Sequence, residues 1–271
     1  MKRIFSKKIL RWLNLILAIY IAGGVALFFL QDKLLFHPEK LNASYQYEFD
    51  IPFKEINLKV NKEKTLSIIQ FTVPDSVCKG VVLFFHGNRQ NISRYAKYAP
   101  AFTKNNYEVW MIDYPGFGKS TGQRTEEILY DDALLLYRMA RVNFSPDSIV
   151  IYGKSIGTGI AAELAAVRDC KRLMLETPYY NIESLAQHYF PVYPVAAMFN
   201  YSFPINEYFE KITAPVTIFH GIDDQIIPFE QSEKLTLIKN KTELVAIKKG
   251  KHNNLFEFPL YHQKMDSLLS L

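Results

Sequence analysis

Apolar residues along the chain fall into runs of three kinds, and each predicts a different element. Residues 12–30 (WLNLILAIYIAGGVALFFL) form one uncharged stretch, close to the ~20 residues a helix needs to cross a bilayer. Short continuous apolar runs recur later, at 80–85 (GVVLFF), 107–112 (YEVWMI), 148–152 (SIVIY), 172–175, 216–219 and 244–247. That is the pattern of strands covered on both faces. Two extended segments, 53–60 and 65–73, are joined around Asn61-Lys62-Glu63-Lys64 and predict a hairpin. Helical patterns occupy 92–103, 125–140, 157–167, 231–238 and 255–269. Strand and helix alternate, so the expected fold class is α/β, a mostly parallel eight-stranded sheet flanked by helices.

One segment breaks this rhythm. Between 178 and 210, Pro191, Pro194 and Pro204 are interleaved with tyrosines and phenylalanines from Tyr179 to Tyr208. An insertion after a strand's C-terminal end lies over the ligand-binding edge of an open α/β sheet. The expectation is a short aromatic-rich lid that lines an apolar pocket and also packs on the core.

Charge sharpens the reading of the N-terminus. Lys2, Arg3, Lys7, Lys8 and Arg11 precede the first acidic residue, Asp32, and account for the whole formal charge of +5. The remaining body is neutral and carries no basic stripe, which excludes a nucleic-acid-binding face. Cations just before an apolar run predict, by the positive-inside rule, a signal-anchor transmembrane helix with a cytoplasmic N-terminus. The body would then lie on the non-cytoplasmic side. Residues 28–32 (FFLQD) offer no small-x-small cleavage site. The expected organisation is residues 1–31 as cationic N-terminus and anchor, and 32–271 as one globular domain. Cys78 and Cys170 stand apart with no C-x-x-C spacing, so neither a metal site nor a disulfide framework is indicated.

The candidate chemistry begins at Gly153-Lys154-Ser155-Ile156-Gly157. An apolar β-branched run delivers the chain to this turn and a small-residue helix carries it away, the context of a nucleophile elbow. A serine hydroxyl needs a base, and the base needs a carboxylate to orient it. In this fold they follow in the order Ser, Asp or Glu, His. His37, His86, His188 and His220 come too early for that order, and His262 falls within the last helix. His252, in the loop after the 244–247 strand, is the candidate base. The acid is expected in the loop leaving the preceding strand, where Asp223 and Asp224 compete. Adjacent side chains diverge, so one of them faces the histidine, and Asp224 is favoured. Two backbone donors are needed for a tetrahedral oxyanion. Ile156 supplies one, and Asn88, in His86-Gly87-Asn88 after the 80–85 strand, supplies the other. Asp113-Tyr114-Pro115-Gly116-Phe117-Gly118 reads as a supporting turn.

Five strings, FFHGN at 84–88, DYPGFGKSTG at 113–122, GKSIG at 153–157, HGIDDQIIP at 220–228 and KGKHNN at 249–254, together resemble the alpha/beta-hydrolase superfamily. Within it the chain is similar to membrane-anchored, small-lid serine hydrolases of the prolyl-oligopeptidase-like and acyl-protein depalmitoylase-like kind, whose post-anchor segment QDKLLFHPEK at 31–40 resembles. The resemblance implies an alpha/beta-hydrolase fold with Ser155 as nucleophile, His252 as base and Asp224, third after the glycine of His220-Gly221, as acid. Arg89-Gln90 stand where relatives carry small residues, which implies a narrower or more polar entrance. The implied reaction is hydrolysis of acyl esters or thioesters through an acyl-enzyme, with a lipid-like substrate and neither metal nor organic cofactor. A serine peptidase or aminopeptidase of the same fold, and a non-catalytic membrane-tethered binding protein, are the alternatives.

Overall fold

Side chains alternate along a strand, and here that alternation divides one sheet between two cores. Val81, Leu83 and Phe85 face one cluster, and Val82 and Phe84 the other. Ile149 and Ile151, against Val150 and Tyr152, repeat the division on the next strand. The structure is a computed structural model that describes residues 7–239 and 241–270. Its central sheet comprises β1 (Phe53–Lys59), β2 (Thr65–Phe71), β3 (Gly80–Phe85), β4 (Tyr107–Ile112), β5 (Ile149–Lys154), β6 (Arg172–Glu176), β7 (Val216–Gly221) and β8 (Glu243–Ile247). The strand order is β8-β7-β6-β5-β3-β4-β2-β1. β2 runs antiparallel to both β1 and β4, and every other pairing is parallel. The order reverses around β3, and the loops leaving β3 and β5 at this switch point carry Asn88 and Ser155.

Nine helices, α1 to α9, are described. α4 (Glu126–Ala140) and α5 (Gly157–Val167) cover one face through Leu129, Leu136, Ile160 and Leu164. α3 (Ala99–Thr103) and α9 (Pro259–Ser270) cover the other through Phe102, Tyr261, Met265 and Leu268. The single helix expected over 92–103 is instead three pieces: α2 (Ile92–Tyr95), a 3-10 turn Ala96–Tyr98, and α3. Pro100 lacks an N–H and fits only the first turn of a helix, so α3 restarts there. Pro259 acts the same way, and the helix expected from 255 becomes a 3-10 turn Leu255–Glu257 followed by α9.

α1 (Lys7–Leu35) extends beyond the uncharged run. Trp12, Ile16, Ile19 and Phe29 along it are more than half exposed, which makes it a candidate membrane span. Lys2 and Arg3 lie outside the described residues. The segment after β6 contains α6 (Ile182–Tyr189), a 3-10 turn Val195–Ala197 and α7 (Ile205–Phe209). Tyr201, Phe203 and Phe209 from it are buried in the core. α8 (Glu230–Ile238) completes the flank beside β8.

Candidate active site

Ser155 occupies the turn between β5 and α5 with φ +52°, a left-handed conformation that costs a non-glycine residue of order 1–3 kcal/mol and persists only where the surroundings over-determine it. The surroundings do so. A side chain at Gly153 would press within 2.6 Å of the Gly157 carbonyl and 2.7 Å of Ala161 Cβ, and one at Gly157 within 2.6 Å of the His86 carbonyl. The Ser155 amide donates to the Glu176 carbonyl at 2.9 Å, and the Ser155 carbonyl accepts the Thr158 amide at 2.9 Å. Strand, neighbouring strand and helix thus clamp the serine from three sides.

Parallel strands deliver their C-terminal loops to one edge, and three of those loops meet here. His252 follows β8 and Asp224 follows β7. Their loops are pinned together where the Asp223 amide donates to the Gly250 carbonyl at 3.0 Å. His252 Nδ1 lies 2.8 Å from Asp224 Oδ2, and His252 Nε2 lies 3.0 Å from Ser155 Oγ. A proton on Nδ1 facing the carboxylate leaves Nε2 as the acceptor for the serine hydroxyl. Asp224 Oδ1 accepts the amides of Ile226 at 2.8 Å and Ile227 at 3.0 Å. Burial opposes ionisation of Asp224, yet hydrogen bonds from His220 and His252 hold its carboxyl well below the usual carboxylate range. Burial pulls His252 below the ordinary imidazole value, Asp224 works against that, and the Lys154 ammonium adds to it. The net direction favours the neutral imidazole. The neighbouring Asp223 is exposed and turned away.

The amides of Asn88 and Ile156 donate to no acceptor among the described residues. Both residues line, with Ser155, a cavity of about 280 Å³ whose walls include Leu34 and Leu35 of α1, Leu185, Phe190, Phe199 and Ile226. Among the described residues no charged side chain lines it. The polar entrance implied by Arg89-Gln90 is thus a correction. Both side chains are exposed, their backbone pairs in parallel with His37–Pro38, and Gln90 bonds to Glu39 and Arg94. That pairing needs the post-anchor segment alongside, so nothing near position 89 could announce it. The same segment holds Asn88, whose Nδ2 donates to the Leu35 carbonyl at 2.8 Å while its own carbonyl accepts the His37 amide at 2.8 Å.

The other histidines lie off this path. His86 is wedged between Tyr95 and Tyr114, its Nε2 3.3 Å from Asp113. Asp113 also accepts the Ile92 amide at 2.9 Å, and burial raises its carboxyl above the usual range. Together they brace the loop carrying Asn88. His220 bonds Ser232 and the Ile227 carbonyl, fixing the acid loop from below. His262, in α9, bonds the Phe256 carbonyl.

One group near the site was not anticipated from sequence. Lys154 and Glu176, in register across β5 and β6, form a fully buried ion pair. Tyr98 and Tyr152 donate to the Glu176 carboxylate, and Tyr261 joins through Tyr152. Lys154 Nζ also donates to the His252 carbonyl at 3.0 Å. The lysine thereby ties the serine's strand to the histidine's loop. The available signal was a charged residue closing each of two strands whose middles are apolar.

Eight strands in this order, with the serine at the β5–α5 turn, are those of an alpha/beta hydrolase. The profile described as "Serine aminopeptidase, S33" matches residues 76–204. Human alpha/beta hydrolase domain-containing protein 17B is 30% identical over 196 residues, 71% of this chain and 67% of its own. Protein 17C of Xenopus tropicalis is 29% identical over 195 residues, 70% of this chain and 61% of its own, so the match spans about three fifths of that relative. Among solved structures, an esterase from Pyrococcus furiosus superposes with a TM-score of 0.66 at 17% identity, over 87% of this chain and 96% of its own. An alpha/beta hydrolase from Vibrio vulnificus gives 0.65 at 19%, over 80% and 81%. The chain belongs to the alpha/beta-hydrolase superfamily, in the family of alpha/beta hydrolase domain-containing protein 17.

Proposed function

We propose that this hydrolase cleaves acyl esters or thioesters by a serine mechanism. Ser155 attacks the acyl carbonyl while His252 Nε2 takes its proton, and Asp224 stabilises the imidazolium that results. The oxyanion is held by the Asn88 and Ile156 amides. His252 then protonates the leaving alcohol or thiol, and water repeats the cycle to release the acid. The observation that carries this reading is the unbroken hydrogen-bonded path Asp224–His252–Ser155 at the floor of a cavity onto which two free amides converge. A peptidase reading is favoured by the serine aminopeptidase description of the matching profile. Among the described residues the cavity lining carries no carboxylate to hold an α-amino group, which argues for esters.

On this reading residues 1–31 are a signal-anchor with the N-terminus cytoplasmic, 32–271 the hydrolase domain on the other side of the membrane, and about 178–210 its lid. A fluorophosphonate probe with Ser155→Ala as control tests the nucleophile. Turnover of p-nitrophenyl esters of graded chain length against aminoacyl arylamides tests the bond. Labelling that persists in Ser155→Ala, or faster arylamide turnover, would overturn the respective half.

A further inference from the structure

Residues 189–205 contain no charged side chain, and the middle of this stretch leans on α1 and not on the sheet. The Tyr193 ring stacks on Tyr20 at 4.8 Å between centroids and an interplanar angle of 6°. Tyr193 Oη donates to the Tyr20 carbonyl at 3.2 Å, and Tyr20 Oη donates to the Val192 carbonyl at 3.0 Å. Gly23 and Gly24 make room for this ring. A Cβ at Gly23 would collide with the Tyr193 hydroxyl, and one at Gly24 would lie 3.3 Å from the ring. Further along, Gln31 clasps the segment's other end, donating to the Met198 carbonyl and accepting the Asn200 amide. Tyr20 lies ten residues inside the apolar run from its C-terminal end at Leu30, roughly 15 Å along a helix. The hydrocarbon core is ~30 Å thick, so a segment docked at Tyr20 reaches deep into whatever surrounds α1.

Much of the backbone of this segment finds its hydrogen-bond partners within the protein. An irregular loop is tolerated at membrane depth only where its polar groups find partners in the protein. From Phe190 to Val195 every carbonyl accepts a hydrogen bond: Phe190 from the Tyr193 amide, Pro191 from the Gln187 side chain, Val192 from Tyr20 Oη, Tyr193 from the Val195 amide, Pro194 from the Ala197 amide and Val195 from the Met198 amide. Pro191 and Pro194 carry no N–H to satisfy. Pro191, Val192, Pro194, Ala196 and Ala197 turn apolar side chains outward, Val192 being 68% exposed. Among the described residues the amides of Val192 and Ala196 and the carbonyls of Ala196, Ala197 and Phe199 have no such partner; the capping is concentrated at 190–195, and a row of exposed apolar groups there would be a liability in water.

We propose that residues 190–199 are a second membrane-inserted element, lying in the hydrocarbon beside α1. The cavity above Ser155 is walled by Leu34 and Leu35 at the end of α1 and by Phe190 and Phe199 at the two ends of this segment. It therefore sits where both elements leave the bilayer, and it takes acyl chains of membrane-resident esters or thioesters directly from the lipid phase. The proposal rests on α1 being the anchor and on the serine-hydrolase reading.

The test uses the full chain in phosphatidylcholine vesicles, with Cys78→Ala and Cys170→Ala as background and an NBD fluorophore at Val192→Cys, Ile16→Cys or Lys62→Cys. Doxyl-labelled lipids should quench positions 16 and 192, and iodide should quench position 62 alone. Quenching of 16 by lipid with 192 reached by iodide overturns the insertion while leaving the anchor standing. Iodide access to both removes the anchor, and the proposal with it. A second arm keeps the native cysteines. Val192→Asp should lower turnover of a long-chain p-nitrophenyl ester embedded in vesicles at least tenfold, and leave soluble p-nitrophenyl acetate turnover and fluorophosphonate labelling unchanged. Equal turnover of the embedded ester by both proteins overturns lipid-phase entry. Failure of the unsubstituted chain to label or to cleave either ester overturns the acyl-transfer role instead, whatever the quenching shows.

Discussion

The floor and the walls of the cavity are made by opposite means. At the floor, polar groups are buried and paired: Ser155, His252 and Asp224 are each under 10% exposed, and an ion pair lies beneath them. The walls are apolar, and the elements that build them, α1 and residues 190–199, turn much of their surface outward. The floor is fixed by hydrogen bonds between strand ends of a single sheet. The walls come from segments more than 150 residues apart that meet through rings and glycines. The difference separates two tasks. Acyl transfer needs preorganised dipoles and a base of set pKa, whereas chain recognition needs only shape and a dry surface. Substitutions at the floor should therefore affect every substrate alike, and those at the walls should discriminate by chain length.

The largest effect is expected at the floor. Ser155→Ala should lower kcat/KM by about 10⁴-fold or more for acetate and long-chain esters equally, with the melting temperature measured alongside close to wild type, because alanine carries the same Cβ at φ +52° as serine. Lys154→Met comes next. It leaves the Glu176 carboxylate buried without its cation, a change that costs about 3–5 kcal/mol where a buried pair is broken, visible as a lower denaturant midpoint. The double variant Lys154→Met with Glu176→Gln should recover much of that stability. The pH profile provides an independent reading. A histidine whose pKa is lowered on folding binds fewer protons in the native state than in the unfolded one around pH 6.5, so stability is present above that value and is lost as pH falls through the folded pKa. On the proposed mechanism activity follows the same limb, because only a neutral His252 could accept the serine proton. The acid limb of kcat/KM should lie below pH 6.5, and Lys154→Met should move it upward by removing a nearby positive charge. A limb unmoved in Lys154→Met would detach the lysine from His252.

Much of the floor was legible in sequence for a topological reason. Parallel strands send their C-terminal loops to one edge, so Ser155, His252 and one of the pair Asp223–Asp224 could be placed together from strand ends and chain order, and the family resemblance singled out Asp224. The runs at 80–85 and 107–112 likewise coincide with β3 and β4, since a strand buried on both faces leaves an uninterrupted apolar signature. The Lys154–Glu176 pair was not seen because it depends on the register between β5 and β6, which no single strand encodes. The walls were less legible still. That Leu34 and Leu35 face the cavity follows from where α1 stops, and α1 runs on through Gln31, Asp32 and Lys33, beyond the point where the apolar run ends. Arg89 and Gln90 were misjudged because their conformation is set by pairing with His37–Pro38, a contact across some fifty residues of chain.

At the walls the expected effects are smaller and selective. Leu185→Trp adds bulk to a cavity of about 280 Å³. It should reduce turnover of long-chain p-nitrophenyl esters about tenfold, on the scale of the 1–3 kcal/mol that a hydrophobic pocket can discriminate, and leave the acetate ester close to wild type. Equal loss on both would mean that the bulk has disturbed the floor, and the division between the two regions would fail.

The smallest effect probes the one point where floor and wall touch. The Ile156 amide is placed by the elbow itself, through residues adjacent in sequence, whereas Asn88 is tied to the end of α1 by its side chain. Asn88→Ala keeps the backbone donor proposed for the oxyanion and deletes only the bond to the Leu35 carbonyl. A hydrogen bond of this kind contributes about 1 kcal/mol, so if it serves to hold the amide in line the expected loss is roughly fivefold in kcat. KM should stay unchanged, because the donor acts on the transition state and not on the ground state. The rate of fluorophosphonate labelling should fall by a similar factor. Full kcat in Asn88→Ala would mean that Gly87 packed on Tyr95, with the His37 amide on the Asn88 carbonyl, positions the donor unaided. The wall built by α1 would then carry no part of the proposed chemistry.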